Sequence, residues 1–230
     1  MSKDGAISIL QGRAVGGTTL VNWTSSFRTP APTLEHWARE HAVAGHSEEQ
    51  MAPWFEHMEQ RLGVAPWQVP PNANNEVIRN GCEKLGYSWH VIPRNVRGCW
   101  NLGYCGMGCP TNAKQSMLVT TIPATLEKGG ELLYLARAQR LIIKGDQVTG
   151  LECQGMDPRC VTPTGRTITV KARHYVIAGG GINTPGLLMR SDAPDPHKTL
   201  GKRTFLHLVN FPAATFPTAT NAFDGAPPSL

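Results

Sequence analysis

The chain has 230 residues, with 22 Lys and Arg against 17 Asp and Glu, which gives a formal net charge of +5. Only 17 % of the residues are charged and 40 % are hydrophobic, so a chain kept disordered by its charge is excluded. The 24 Gly and 18 Pro residues together make up a larger share of the chain than the average of about 12 % for these two residue types. This excess argues against a helical bundle or coiled coil. Lys and Arg are scattered rather than clustered, so we expect no nucleic-acid partner.

Neither membrane insertion nor secretion is indicated by the sequence. No stretch approaches the roughly 18 consecutive apolar residues that a transmembrane helix needs. The first residues, MSKDG, lack the apolar core of a signal peptide. We therefore expect a cytoplasmic protein with no transmembrane segment.

The first half of the chain is predicted to open with a strand and continue as helices. Residues 6–10 form a short apolar run that leads into a glycine loop, which is typical of a buried strand. Residues 33–62 are helical in character, and Pro53 is expected in the first turn of the second helix there. A further helix at 74–84 should end at Gly86, which can adopt the left-handed C-cap conformation.

The second half is predicted to form a β-meander followed by one more apolar strand. A Gly- and Cys-rich loop at 98–110 precedes a helix at 113–127. Short strands with turn signals between them follow at 131–135, 138–144, 148–154 and 166–171. The run at 174–178 is nearly all apolar and enters another glycine loop, and one possible strand remains at 205–211. Alternating helices and strands with an antiparallel patch indicate an α/β or α+β sheet protein.

Two glycine loops, each directly after an apolar run, are the first candidates for a binding site. Gly16 and Gly17 form one, and Gly179 and Gly180 the other. Glycine there lets backbone N–H groups approach an anionic or flat ligand with no Cβ in the way. Neither loop is the G-x-G-x-x-G fingerprint, and a plain strand–turn–helix junction would use the same residues. A meander between two such loops favours a flavoprotein, and we expect both loops on the same side of the sheet; a simple antiparallel edge is the plainer alternative.

These residues resemble a known family. GGTTLVN at 16–22 with RTP at 28–30 resembles the flavin-binding loop of the glucose–methanol–choline (GMC) oxidoreductases. AGGGINTP at 178–185 is similar to the second signature of that family, and residues 200–207 are similar to the stretch that follows it. His207 falls at a family position where a structural hydrogen bond is expected. The resemblance covers nearly the whole chain.

The resemblance implies a fold, an activity and a division of the chain. The fold is a partial FAD/NAD(P)-binding Rossmann-like domain with a β-meander, plus the beginning of a substrate domain. The activity is FAD-dependent oxidation of the CH–OH group of a small-molecule alcohol, with hydride transfer to the flavin and a separate electron acceptor. The division is an FAD-binding segment (1–30), an inserted helix and loop cap (31–112), a second FAD-binding segment with the meander (113–204) and a truncated substrate domain (205–230).

The family's opening G-x-G-x-x-G unit and its closing segment with the catalytic His find no counterpart in this sequence. The chain therefore resembles an internal fragment, which we expect to be inactive alone, and we assign no catalytic residue. In some relatives a His at the place of Val21 bonds covalently to the flavin; because Val has no nucleophile, FAD should be bound non-covalently. Carried over position by position, the cofactor-binding residues are Gly16, Gly17, Thr18, Asn22, Trp23, Ser25, Arg140, Gly179 and Gly180. In the family, the position of Arg140 contacts adenine through its backbone.

Three cysteines in the loop at 98–110 suggest an alternative function. Cys99, Cys105 and Cys109 have the spacing C-x5-C-x3-C, which matches neither zinc C-x2-C pairs nor ferredoxin runs. A fourth ligand would have to come from elsewhere in the chain. We therefore expect structural thiols or a local disulfide and no metal. A metal-binding or Fe–S module built on these three cysteines is the alternative, and a non-catalytic sheet domain is a third class.

Overall fold

The computed structural model describes residues 2–205, 213–221, 223–226 and 229–230. The chain divides into two compact units, Met1–Glu131 with Ala214–Leu230, and Leu132–Ala213. Helices and antiparallel sheets occur together, which confirms the mixed α/β class. The four functional segments stay a prediction. His207 and most of the possible last strand lie outside the described residues.

The first unit consists mainly of helices with one short antiparallel strand pair. The pair joins Val64 to Asn95 and Pro66 to Pro93. Two 3-10 turns, Gly17–Leu20 and Cys105–Met107, lie in its loops. Its elements in chain order are α1 (Ala31–His41), α2 (Glu48–Leu62), β1 (Val64–Pro66), α3 (Ala73–Leu85), β2 (Pro93–Asn95) and α4 (Thr121–Glu127).

Local capping signals set the ends of α2 and α3. The hydroxyl of Ser47 accepts a hydrogen bond from the Gln50 N–H at 3.3 Å, and the Gln50 side chain accepts one from the Ser47 N–H at 3.1 Å. This capping box starts α2 earlier than predicted, so Pro53 lies inside the helix and not in its first turn. The prediction for α3 is confirmed, since Gly86 closes it at φ 71° in the left-handed region.

The helix predicted at 113–127 is much shorter than expected. Its first residues are not helical, because their backbone is hydrogen-bonded to the end of β2 and to the residues directly after it. The Arg97 N–H donates to the Ala113 carbonyl at 2.8 Å, and the Gln115 N–H donates to the Asn95 carbonyl at 2.9 Å. Only Thr121–Glu127 is helical. Tertiary hydrogen bonds therefore override the local helical pattern.

The second unit is the predicted β-meander with one helix. Strands β3 (Ala136–Lys144), β4 (Gln147–Met156) and β5 (Pro163–Val170) pair antiparallel in chain order. Helix α5 (Gly180–Arg190) packs on β3, where the Leu141 N–H donates to the Ser191 hydroxyl at 2.9 Å. Leu141 and Leu187 are buried here. The strand predicted at 131–135 does not form.

The two apolar segments predicted as strands, 6–10 and 174–178, are not strands in the described structure. Leu10 is 91 % exposed and Val176 is 89 % exposed. An apolar run becomes a strand only when a neighbouring strand pairs with its N–H and C=O groups, and no described strand or bridge pairs with either segment. Within the described part of the chain, no helix combines the length and apolar character required to cross a membrane.

Candidate functional site

The first glycine loop has a backbone that only glycine adopts at no steric cost. Gly16 precedes the 3-10 turn at φ 98°, and Gly17 begins it at φ 59°. A Cβ placed on Gly17 would meet no atom within 4 Å, so open space lies beside this residue. The Thr18 hydroxyl accepts a hydrogen bond from the Gly12 N–H at 3.2 Å, which closes the loop.

The loop continues into Asn22, Trp23 and Ser25, which the structure brings together in the first unit. The side-chain oxygen Oδ1 of Asn22 is buried, and none of the residues that the structure describes donates a hydrogen bond to it. Trp23 is about half exposed, and its ring packs on Gly106 so closely that a Cβ there would lie 2.5 Å from it. Ser25 forms an isolated antiparallel bridge with Arg94.

Arg94, the middle residue of β2, holds this loop through hydrogen bonds. It was not among the candidate residues chosen from the sequence. Its side chain is fully buried. Nε donates to the Thr24 hydroxyl at 2.8 Å, and Nη2 donates to the Trp23 carbonyl at 3.0 Å. The guanidinium carbon lies 4.8 Å from the centre of the Trp67 ring, in a cation–π arrangement. Arg94 thus fixes the main chain at Trp23 and the side chain of Thr24.

Lys114 is a second buried cation that sequence reasoning missed. It is 3 % exposed. Its ammonium group donates to the carbonyls of Leu20 at 2.8 Å, Asn22 at 2.7 Å and Cys105 at 2.5 Å. Burial lowers the pKa of Lys114, and the positive charge of Arg94 lowers it further, while the cysteines 105 and 109 oppose this shift. The three N–H groups of the ammonium therefore connect two carbonyls of the glycine loop to one carbonyl of the cysteine loop.

The second glycine loop lies in the second unit. The Gly179 N–H donates to the Thr184 hydroxyl at 2.9 Å, and Gly180 opens α5 at φ 80°. The N-terminus of this 11-residue helix carries partial positive charge. Arg140 has a side chain that is 57 % exposed and lies 3.7 Å from the Glu152 carboxylate. A cofactor role for Arg140, Gly179 and Gly180 stays a prediction.

The three cysteines of the cysteine loop line one small pocket. Cys99, Cys105 and Cys109 all line a space of about 20 Å³. All six cysteines of the chain are free thiols, so the local disulfide considered from the sequence is not formed. In the residues that the structure describes, no three His, Cys, Asp or Glu side chains are arranged to hold a metal ion.

Gly106→Ala should displace Trp23, because the new methyl group would overlap the indole ring. We expect the free energy of unfolding to fall by about 1–3 kcal/mol. Acrylamide quenching of Trp23, obtained as the difference from Trp23→Phe, should change. Gly81→Ala is the matched control, since a Cβ there meets nothing within 4 Å and Ala stabilises a helix by about 0.5–1 kcal/mol relative to Gly. Equal behaviour of the two variants would contradict the predicted packing role.

The residues of the first loop fit FAD. Open space beside Gly17 admits a ligand against the backbone where any other residue would place a side chain. The buried Asn22 Oδ1 is an acceptor in need of a donor, and an isoalloxazine ring carries an N–H group. Lys114 holds the main chain at Leu20 and Asn22, and Arg94 holds it at the next residue, Trp23, so the loop is preorganised.

Comparison with known proteins identifies the family. The family model described as GMC oxidoreductase matches residues 1–209. Two long-chain-alcohol oxidases of Arabidopsis thaliana are 28 % and 30 % identical to the chain, over 98 % and 96 % of its length and 30 % of theirs. An uncharacterized GMC-type oxidoreductase of Mycobacterium tuberculosis is 31 % identical over 96 % of the chain and 34 % of its own length. The chain thus spans about a third of the length of the curated relatives it matches. It belongs to the GMC oxidoreductase family.

Proposed function

We propose that this chain is part of a flavoenzyme that binds FAD non-covalently and oxidises an alcohol. The observation that carries the proposal is the loop from Gly17 to Asn22, which combines open space at a left-handed glycine with an unpaired buried acceptor. Family membership supports FAD as the cofactor. Because the Arabidopsis relatives are long-chain-alcohol oxidases, long-chain alcohols are the first substrates to test.

The residues of this chain have binding and positioning roles in the proposal. The Gly16 and Gly17 backbone would hold the phosphates and ribityl chain, and the Asn22 side-chain oxygen would accept a hydrogen bond from the ring. Trp23 and Ser25 shape the space beside the ring. When bound, FAD would supply the hydride acceptor for oxidation of the carbinol carbon, and the residues of this chain would supply orientation and electrostatics. Val21 offers no nucleophile for a covalent link.

The proposal is tested by FAD titration and by turnover with an artificial electron acceptor. We would use the longest form of the protein that its gene encodes, with residues 1–230 alone beside it. The expected result for the longest form is a yellow protein that reduces the acceptor with at least one member of a panel of short-chain and long-chain alcohols. A folded protein that takes up no FAD and oxidises no alcohol would refute the proposal.

A metal or Fe–S module on Cys99, Cys105 and Cys109 remains the second candidate, because all three residues line one small pocket. Our prediction is that the protein purified without oxygen contains no near-stoichiometric iron or zinc, since the spacing is irregular and the described residues contain no group of three or more side chains that could hold a metal ion. Elemental analysis and electron paramagnetic resonance are the measurements. Near-stoichiometric metal that is lost in Cys105→Ser, but retained in the control Cys160→Ser, would favour the second candidate.

A further inference from the structure

The hydrogen bonds of Lys114 hold the glycine loop, but its buried positive charge has no role yet in the proposed alcohol oxidation. The side chain is 3 % exposed, and its Nζ lies 2.5–2.8 Å from the carbonyl oxygens of Leu20, Asn22 and Cys105. Three acceptors need three N–H donors. An ammonium group has three and a neutral amine has two, so the hydrogen bonds themselves identify the side chain of Lys114 as charged.

The charge of Lys114 is not neutralised by a carboxylate in the described part of the chain. None of the ion pairs that join described residues includes Lys114. A second cation lies beside it, because the buried Arg94 donates from Nη2 to the Trp23 carbonyl at 3.0 Å. Two buried cations therefore hold the carbonyls of two consecutive residues, Asn22 and Trp23.

Asn22 connects this charge to the proposed position of the flavin ring. Its carbonyl oxygen accepts the hydrogen bond from Lys114 at 2.7 Å, and its buried Oδ1 is the acceptor proposed for the ring N–H. A single residue would therefore separate the ammonium group from the pyrimidine end of the ring, which carries that N–H. A charge acts strongly at this range inside a protein, where the effective dielectric constant is about 20, against about 80 in water.

We propose that Lys114 raises the reduction potential of FAD bound to this protein, by stabilising the negative charge that the ring gains on reduction. The inference rests on the proposed function, which places the ring beside Asn22. A hydride from the alcohol brings two electrons and one proton, so the neutral ring gains one negative charge, held mainly at its pyrimidine end. The positive charge of Lys114 favours this reduced form over the oxidised one. Because Lys114 acts through Asn22 and does not touch the ring, it is a positioning residue.

The midpoint potential of FAD separates this electrostatic role from the structural role of Lys114. A loop that is merely loosened binds oxidised and reduced FAD less tightly by the same factor, and the midpoint potential then stays the same. Loss of the charge weakens the binding of reduced FAD more than that of oxidised FAD, and only such a difference in affinity can shift the equilibrium between the two forms.

The experiment reduces the FAD-loaded protein, in the longest form that its gene encodes, against a reference dye of known potential and follows the flavin absorbance. In Lys114→Gln, the ratio of reduced to oxidised FAD at the wild-type midpoint should fall about tenfold, which corresponds to a midpoint about 30 mV lower for a two-electron couple. Lys114→Arg keeps a cation and should stay close to the wild-type ratio. Lys128→Gln, at an exposed position, is the matched control and should equal the wild type.

Two neutral variants keep the inference testable if one of them does not fold. Lys114→Met removes the charge and all three donors, whereas Lys114→Gln retains two N–H groups for the carbonyls and should fold more readily. Both should lower the midpoint potential. An unchanged potential in a folded, FAD-loaded neutral variant, or an equal drop in Lys114→Arg, would overturn this inference alone. A wild type that takes up no FAD would overturn the proposed function and this inference together.

Discussion

Lys114→Met is expected to lower the free energy of unfolding by roughly 3 kcal/mol. The variant removes three hydrogen bonds to the carbonyls of Leu20, Asn22 and Cys105, and an unsatisfied buried acceptor costs about 1–3 kcal/mol. Relief of the buried charge offsets part of this sum. Urea unfolding measures the change. Lys128→Met, at an exposed position in the same unit, is the control and should alter stability by no more than about 0.5 kcal/mol.

The three hydrogen bonds of Lys114 form a clamp between the glycine loop and the cysteine loop. Two further measurements test whether this Lys114 clamp stabilises the protein. Lys114→Arg keeps a buried cation with several donors, so its stability should fall between those of the wild type and Lys114→Met. Limited proteolysis should cut the loop around Asn22 faster in Lys114→Met, because its carbonyl is no longer held. Wild-type stability and wild-type cleavage in Lys114→Met would show that the three hydrogen bonds contribute nothing net.

The lowered pKa of Lys114 gives the clamp a dependence on pH. Burial makes the folded protein bind this proton less tightly than the unfolded chain does. Between the lowered pKa and the ordinary lysine pKa, the unfolded chain therefore carries more protons, and the contribution of Lys114 to stability rises with pH. This contribution should be absent from Lys114→Met and present in Lys128→Met, when stability is measured over the alkaline range.

Elements with local signals could be predicted from the sequence. Helix α3 ends at Gly86 because glycine alone enters the left-handed region freely, and that signal lies in the sequence itself. The meander was also predicted, since its strands pair with their chain neighbours across short turns such as the one at Gly145. The segment 6–10 was wrong as a strand, because hydrophobicity does not reveal whether a pairing partner lies beside it.

The residues of the candidate site also fall into those with a local signal in the sequence and those without one. Gly16 and Gly17 were found because a backbone requirement appears as a residue type. Arg94 and Lys114 were missed because their partners, among them Thr24 and Asn22, lie 70 and 92 residues away in the chain. A single Lys in a segment that is predicted to be helical is expected to be exposed to solvent. Only the tertiary structure shows that both cations hold the loop predicted to contact flavin.

Gly17→Ala should weaken FAD binding by at least about tenfold, which corresponds to roughly 1.4 kcal/mol. The free space beside Gly17 is where the proposal places the cofactor, so a methyl group there would meet the ligand and nothing in the protein. The left-handed backbone at φ 59° also costs Ala about 1–2 kcal/mol of stability. FAD titration followed by flavin fluorescence measures the affinity.

Gly45→Ala is the control that separates a loss of FAD affinity from the loss of stability caused by the left-handed backbone. Gly45 has φ 77° and, like Gly17, nothing within 4 Å of an added Cβ, so both variants should lose similar stability. Only Gly17→Ala should lose FAD affinity, because Gly45 lies in the loop between α1 and α2, outside the residues assigned to the cofactor. Unchanged affinity in Gly17→Ala, or an equal loss in both variants, would place the FAD phosphates and ribityl chain away from the backbone of Gly17.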